Sequence, residues 1–338
     1  MKAIRAIKPH QLQLVELEKP ALKHPDDVRI RVRAAGVCGS DIHIWHGTNI
    51  FATYPRTLGH EVSGEVESVG PDVTSLKAGD RVVLEPIRYC GKCYACANGR
   101  PNVCHALQVF GVHTDGGFCE YLVANERNFH KVPDGISFEQ AALVEPFTIA
   151  AQNVWRAGTQ KDDVVLIHGA GPIGLTITDT AKRLGTVVIV SEVNDYRLNI
   201  AREFGADHLI NPARENLKDR LSEITGGMGP NVIFEATGVP ALFSESIELA
   251  SIAGRIVPLA FGTQPIPINI SQVTKKELGI MGTRLQTYKF APVIETFSQR
   301  LNRVDRMLTG VYPAEEFQRA FDDATDKNAN HCKIVLTF

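Results

Sequence analysis

The pattern of hydrophobic and polar positions changes character near residue 145. Before it, apolar and polar residues alternate in short runs, "DDVRIRVRAAGV", "EVSGEVESVG", "AGDRVVLEP" and "GGFCEYLVA", separated by Gly, Pro and Asp. A period of two punctuated by turn residues predicts strands, so this part reads as a β-rich domain. After it, continuous apolar runs alternate with stretches of helical period. "VVLIHGAGPIGLTITDTAKRLG" reads as a buried strand, a glycine turn and a helix, and "TVVIVSE" then leads into the helical "YRLNIAREFGA". "DHLINP", "NVIFEATG", "GRIVPLAFG" and "ELGIMGTR" supply four more strands, with helices across "ENLKDRLSEIT" and "ALFSESIELA". Six strands alternating with helices predict an α/β doubly wound parallel sheet over residues 147–286. Two helical stretches, "FAPVIETFSQRLN" and "AEEFQRAFDDATD", and a closing strand, "CKIVLTF", complete the chain.

A length of 338 residues accommodates roughly two domains, each with its own core. The net charge of −2 gives no broad electrostatic pull toward nucleic acid or an anionic membrane. The first stretch, "MKAIRAIKPHQLQLVELEKP", alternates like a strand and lacks the apolar core of a secretory signal. No run approaches the ~18 apolar residues that would span a bilayer. Seven cysteines, an odd count, point to thiols kept reduced and used for metal. The expected location is cytoplasmic.

Four of those cysteines fall in "YCGKCYACANGRPNVC" as C-x2-C-x2-C-x7-C. Cys90, Cys93, Cys96 and Cys104 suit one tetrahedral Zn²⁺, and a site filled by four thiolates leaves no position for substrate. This metal therefore braces a loop. Chemistry has to be sought elsewhere. Gly169, Gly171 and Gly174, with Pro172 and Ile173 between the last two, form G-x-G-x-x-G after a strand and at the mouth of a helix. Such a turn brings backbone N–H groups and a helix N-terminus to a pyrophosphate. Glu192 ends the next strand, 18 residues after Gly174, where a carboxylate accepts hydrogen bonds from ribose hydroxyls and repels a 2′-phosphate. NAD is thereby favoured over NADP. Arg197, close by, either stacks on adenine or tolerates some NADP.

Cys38, His60, Glu61 and Glu145 form a mixed N/O/S set that Zn²⁺ accepts while keeping a position open. An open zinc site joined to an NAD turn is a mechanism in itself. The metal lowers the pKa of an alcohol from ~16 toward neutrality, and the cofactor takes the hydride. Ser40 and His43 are placed to carry the proton outward.

With "CGSDIH" at 38–43, "GHE" at 59–61, the four-cysteine lobe, "VEP" at 144–146 and "GAGPIG" at 169–174, the chain resembles the zinc-containing medium-chain dehydrogenase/reductase superfamily over essentially its whole length. The resemblance implies a GroES-like catalytic domain, 1–146 with 287–338, split around a Rossmann NAD-binding domain, 147–286, with the active site in the cleft between them. It also implies catalytic zinc on Cys38, His60 and either Glu61 or Glu145, and structural zinc on the four-cysteine lobe. Glutamate at 145 resembles the polyol dehydrogenase branch. "YPRTLGHE", "FGVHTDGGFCEY" and "VEPFTIAA" look like the bacterial starvation-sensing-type and hexonate 5-dehydrogenases.

The implied reaction is NAD⁺-dependent oxidation at C5 of L-gulonate to fructuronate, with L-galactonate as a second substrate. Arg284, at the end of the last predicted strand, is the first candidate to bind the sugar-acid carboxylate, with Arg56 and His113 next. A neutral polyol dehydrogenase of the sorbitol, xylitol or galactitol type is the alternative within enzymes. A non-catalytic zinc protein that senses NAD and binds nucleic acid is the alternative of another class, and the lobe's two basic residues, Lys92 and Arg100, argue against it. The resemblance further implies a homodimer or tetramer joined through Rossmann edge strands. Cys119 and Cys332 are expected to be buried structural thiols.

Overall fold

The alternation in "DVRIRVRAAGV" becomes one long strand, Asp27–Val37, around which the first part of the fold is organised. The computed structural model describes residues 1–262, 264–326 and 330–338. These form two units, Met1–Glu145 with Phe290–Phe338, and Pro146–Lys289.

In the first unit, a seven-stranded sheet runs Phe129–Lys131, Arg81–Leu84, Glu61–Val69, Asp27–Val37, Lys333–Thr337, Leu308–Pro313, and Tyr121–Asn125 pairs with the first half of Asp27–Val37. Its register brings distant parts of the chain together. Glu61–Val69 lies antiparallel to the long strand with Glu61 opposite Gly36, and Lys333–Thr337 lies antiparallel on its other side with Ile334 opposite Val37. Three points far apart in the chain, Val37, Glu61 and Lys333, thus meet at one end of one sheet. A smaller sheet joins Gln11–Glu16, Lys2–Lys8 and Arg56–Thr57.

The second unit is the doubly wound sheet. Its strands, in chain order Val164–His168, Val187–Ser191, His208–Ile210, Val232–Glu235, Arg255–Pro258 and Gly279–Ile280, are all parallel and stand in space as third, second, first, fourth, fifth, sixth. The order reverses beside the first strand, which puts the glycine turn at the switch point where such sheets bind nucleotides. Leu166, Ile189, Ile233 and Ile256, one from each central strand, pack with Phe243 and Ile247 of the helix Pro240–Leu249 into a core cluster. Each fully buried side chain of this size contributes about 1.5–3 kcal/mol.

Three features depart from the sequence reading. The last strand is only Gly279–Ile280, so Arg284 stands in the loop beyond it. Pro258 ends the neighbouring strand and has no N–H for the next rung of the ladder, which stops the pairing there. A helix at Ile270–Lys276 and the strand Leu308–Pro313 also form where the sequence pattern predicts no element. Among the described residues no helix is long and apolar enough to cross a membrane.

His168 closes the first strand of the parallel sheet and is 1% exposed, and neither ring nitrogen has a partner among the described residues. Burial pushes its pKa down to about 4. The folded state therefore holds the neutral ring, while the unfolded chain takes up a proton near 6.5. Its contribution is full above pH 6.5 and lost as pH falls toward 4, by about 3 kcal/mol. His168→Leu is expected to flatten that part of the stability profile, read by urea unfolding between pH 4 and 7. An unchanged slope would mean that the imidazole is not the responsible group.

Candidate active site and metal centres

The four-cysteine lobe is built on a short helix, Tyr94–Ala97, and the 3₁₀ turn Pro101–Val103. Sulfur–sulfur distances are 3.6 Å for Cys93–Cys96, 3.8 Å for Cys93–Cys104 and 3.5 Å for Cys90–Cys104. These are far too long for disulfides. They match the edges of a tetrahedron whose centre is about 2.3 Å from each sulfur, the Zn–S bond length. Backbone N–H groups of Cys96 and His105 pull the Cys93 thiol down to about 6, toward the thiolate that binds metal. Cys104 also accepts from the N–H groups of Cys90 and Ala106, at 3.4 and 3.3 Å.

A second set converges at the end of the seven-stranded sheet. Donor atoms of Cys38, His60 and Glu61 all lie within 4.8 Å of one another. Cys38 follows the long strand and precedes the helix Gly39–Trp45, while His60 immediately precedes Glu61 at the start of the next strand. Asp41, wholly buried, ties the two loops together. Its Oδ2 accepts from the Cys38 N–H at 2.9 Å and its Oδ1 from the Gly59 N–H at 3.2 Å. The same Oδ1 stands 3.9 Å from His60 Nδ1, a buried nitrogen without a hydrogen-bond partner among the described residues. Burial alone lowers the His60 pKa, yet the Cys38 thiolate, Asp41 and Glu145 outweigh it and raise the value well above normal. A site that pulls this hard on a proton is one that a dication fits.

Glu61 has a made-to-measure seat. A Cβ on Gly36 would fall 2.1 Å from Glu61 Oε2, so a side chain there would displace the carboxylate from its present place. From the far side Lys333 Nζ approaches both carboxylate oxygens. Glu145 is buried and acts electrostatically on His60, but it stands outside the converging trio. Burial raises its carboxyl to about 7.

Of the other residues singled out from sequence, Ser40 carries a buried hydroxyl without a partner among the described residues, and exposed His43 pairs its Nδ1 with Thr48 Oγ1 at 2.9 Å. Arg56 is committed, with Nη1 on Asp115 at 3.2 Å and Nη2 on Thr53 Oγ1 at 2.6 Å. His113 Nδ1 accepts from the Val109 N–H at 3.1 Å, and its ring tilts against Phe51. Half-buried Arg284 lies over the Phe261 ring, 5.8 Å from its centroid. Cys119 is buried, with its thiol pushed up to about 12 by burial. Half-buried Cys332 donates its backbone N–H to Thr309 Oγ1.

In the parallel unit, Gly169 adopts φ +96°, and its N–H bonds Ser191 O at 2.8 Å. A Cβ on Gly174 would fall 2.0 Å from Gly169 O, whereas one on Gly171 would meet nothing within 4 Å. The third glycine thus packs the turn, and the second leaves room for phosphate above the helix Pro172–Lys182, whose first residues include Ile173. Glu192 accepts from the N–H groups of Ala170 at 2.9 Å and Asn194 at 3.0 Å, so its carboxylate is fixed against the glycine turn. Arg197 sits in the first turn of the helix Asp195–Glu203, half-buried, with its N–H on Asn194 Oδ1.

Comparison with known proteins establishes the family. Residues 24–134 match the alcohol dehydrogenase GroES-like domain, and residues 172–299 match the zinc-binding dehydrogenase family. Starvation-sensing protein RspB of Escherichia coli (strain K12) is 41% identical over 340 residues, covering 100% of this chain and 99% of its own. The chain belongs to the zinc-dependent medium-chain alcohol dehydrogenase family. L-galactonate-5-dehydrogenase of the same strain is 34% identical, over 100% of this chain and 99% of its own. The crystal structure of the rspB dehydrogenase of E. coli CFT073 with NADH superposes with a TM-score of 0.94 at 39% identity, over 100% of this chain and 99% of that one.

By family this protein is a zinc-dependent alcohol dehydrogenase, and its four-cysteine lobe and Cys38–His60–Glu61 set are two donor sets that could each hold a zinc ion. Two participants escaped the sequence reading. Asp41 lies inside the "CGSDIH" motif, and its place at the third position of a short helix was the available signal. Lys333 lies 272 residues from Glu61 and gave none beyond a lysine opening an otherwise apolar strand.

Proposed function

We propose that the enzyme oxidises the C5 hydroxyl of an L-hexonate, L-gulonate to fructuronate in the first place and L-galactonate second, with NAD⁺ as acceptor. The observation that carries the chemistry is the Cys38–His60–Glu61 donor set, with the unpartnered Ser40 hydroxyl two residues from Cys38. Full-length similarity to an L-galactonate-5-dehydrogenase supports the substrate class.

In this reading Cys38, His60 and Glu61 hold zinc, and buried Glu145 is the adjoining carboxyl. Bound zinc supplies the Lewis acidity that makes a hydroxyl acidic. Ser40 Oγ accepts the hydroxyl proton, and exposed His43, held by Thr48, passes it to solvent. The C5 hydride goes to the nicotinamide, so the products are a 5-keto acid, NADH and one proton. Gly171 and Gly174 shape the pyrophosphate turn, and Glu192 receives the adenosine ribose. Arg284 is the first candidate for the carboxylate, since a guanidinium binds a carboxylate in a bidentate fork. His113 is the second. Arg56, bound to Asp115 and Thr53, is not carried forward. The seven free thiols support a reducing, cytoplasmic setting. The exposed Ile280 on the edge strand supports self-association through that edge.

NADH formation from L-gulonate, L-galactonate, sorbitol, xylitol and threonine tests the reading. We expect kcat/KM on a hexonate to exceed that on the neutral polyols by at least about 10²-fold, the scale of one charge-assisted carboxylate contact. Activity on sorbitol or xylitol with none on either hexonate would replace this reading with the neutral polyol one.

A further inference from the structure

Lys333 opens the strand Lys333–Thr337 and is 2% exposed. A lysine so buried keeps its charge only where that charge is matched. Its Nζ stands 2.6 Å from Glu61 Oε1, 2.5 Å from Oε2 and 3.0 Å from Val37 O. An ammonium has three donors and no acceptor; Val37 O and Glu61 Oε1 take two of them, and the ion pair extends to Glu61 Oε2. Both partners belong to the metal centre: Glu61 is one of the three converging donors, and Val37 immediately precedes Cys38.

The carboxylate of Glu61 is therefore located from three sides. Gly36 leaves the space that its Oε2 occupies, the backbone register places its Cα, and Lys333 pairs with its oxygens. Charge runs the same way. Asp41, Glu61 and Glu145 are all buried carboxyls of this unit, and Lys333 is a buried cation paired directly with one of them, Glu61.

We propose that Lys333 is a positioning residue of the catalytic metal centre: it orients Glu61 as a zinc ligand and balances its charge, so that the last strand of the sheet completes a site whose ligands come from the first part of the chain. This rests on the reading of Cys38, His60 and Glu61 as ligands. Removing a partner of this kind lowers metal affinity by about 10–100-fold in metalloproteins generally.

The experiment uses the zinc-loaded full-length enzyme and reads metal rather than turnover. Competition against a chelator is followed for the catalytic zinc, with the lobe zinc as internal control, and Co²⁺ is substituted to record its visible spectrum. Lys333→Met is expected to release the catalytic zinc about 10–100-fold more readily and to change the cobalt spectrum, with lobe zinc retained. Lys333→Arg keeps the charge and is expected to restore much of the affinity.

Should Lys333→Met not fold, Lys333→Gln replaces it in the cycle. In a Glu61→Gln background the lysine change is expected to add no further loss, because Lys333 acts through Glu61. Wild-type zinc affinity and cobalt spectrum in Lys333→Met, or losses that add in the double variant, would overturn the proposal. A cobalt spectrum unaltered by Cys38→Ser would instead sink the ligand reading on which it rests, so the two failures are distinguishable.

Discussion

Cys38→Ser is expected to lower kcat by at least about 10³-fold, because the hydroxyl to be oxidised loses its electrophile. It should also reduce bound zinc from two equivalents per chain to one while leaving the fold intact. The reason is local. Cys38 follows a strand whose pairing on both sides is made by backbone, and Asp41 still ties its N–H to the Gly59 loop after the sulfur is gone. The converse holds at the lobe. Cys90, Cys93, Cys96 and Cys104 sit on one four-residue helix, one 3₁₀ turn and loops, so the metal replaces the core that this segment lacks. Cys93→Ser is therefore expected to lower the melting temperature and expose the lobe to proteolysis, with kcat per folded molecule much less affected. Zinc analysis, thermal unfolding and kcat on both variants check this. If the two behaved alike, the distinction between a working and a bracing metal would be wrong.

Much of this architecture was legible because each feature depended on residues close together in the chain. The six parallel strands are apolar runs with glycine turns, and buried parallel strands read that way wherever helices cover both faces. The lobe's cysteines span fifteen residues, and the phosphate turn six. The features that escaped depend on pairings made at long range. Lys333 looks like the polar start of a closing strand until the register sets Ile334 opposite Val37 and delivers its ammonium to Glu61. The strand Leu308–Pro313 contains Gly310 and ends in a proline, and only its parallel partner Lys333–Thr337 makes it a strand. Arg56 looks like an available fork in "YPRTLGHE" until Asp115, fifty-nine residues on, takes it. Glu61 and Glu145 were equal candidates by chemistry, and only side-chain convergence separates them.

Gly174→Ala is expected to damage both fold and cofactor binding, while Gly171→Ala damages binding alone. The contrast comes from the atoms that each new methyl meets. At 174 it falls 2.0 Å from the carbonyl oxygen of Gly169 and 2.9 Å from its carbonyl carbon, both backbone atoms of the turn that enters the helix. Relief requires the helix Pro172–Lys182 to move off the strand Val164–His168, so a loss of about 3 kcal/mol is expected, at the upper end for overpacking. At 171 the methyl meets nothing within 4 Å, and φ −72° with ψ −179° is extended backbone open to any residue. Stability should change by no more than about 0.5 kcal/mol. The space it enters is where the helix N-terminus presents its N–H groups, and the NADH Kd should rise about 10–100-fold as the pyrophosphate is held off. Thermal unfolding and NADH fluorescence titration separate the two effects. A Gly171→Ala enzyme that bound NADH as the parent does would move the phosphate away from this turn. A Gly174→Ala enzyme of unchanged melting temperature would mean that the turn relaxes more cheaply than its backbone contacts allow.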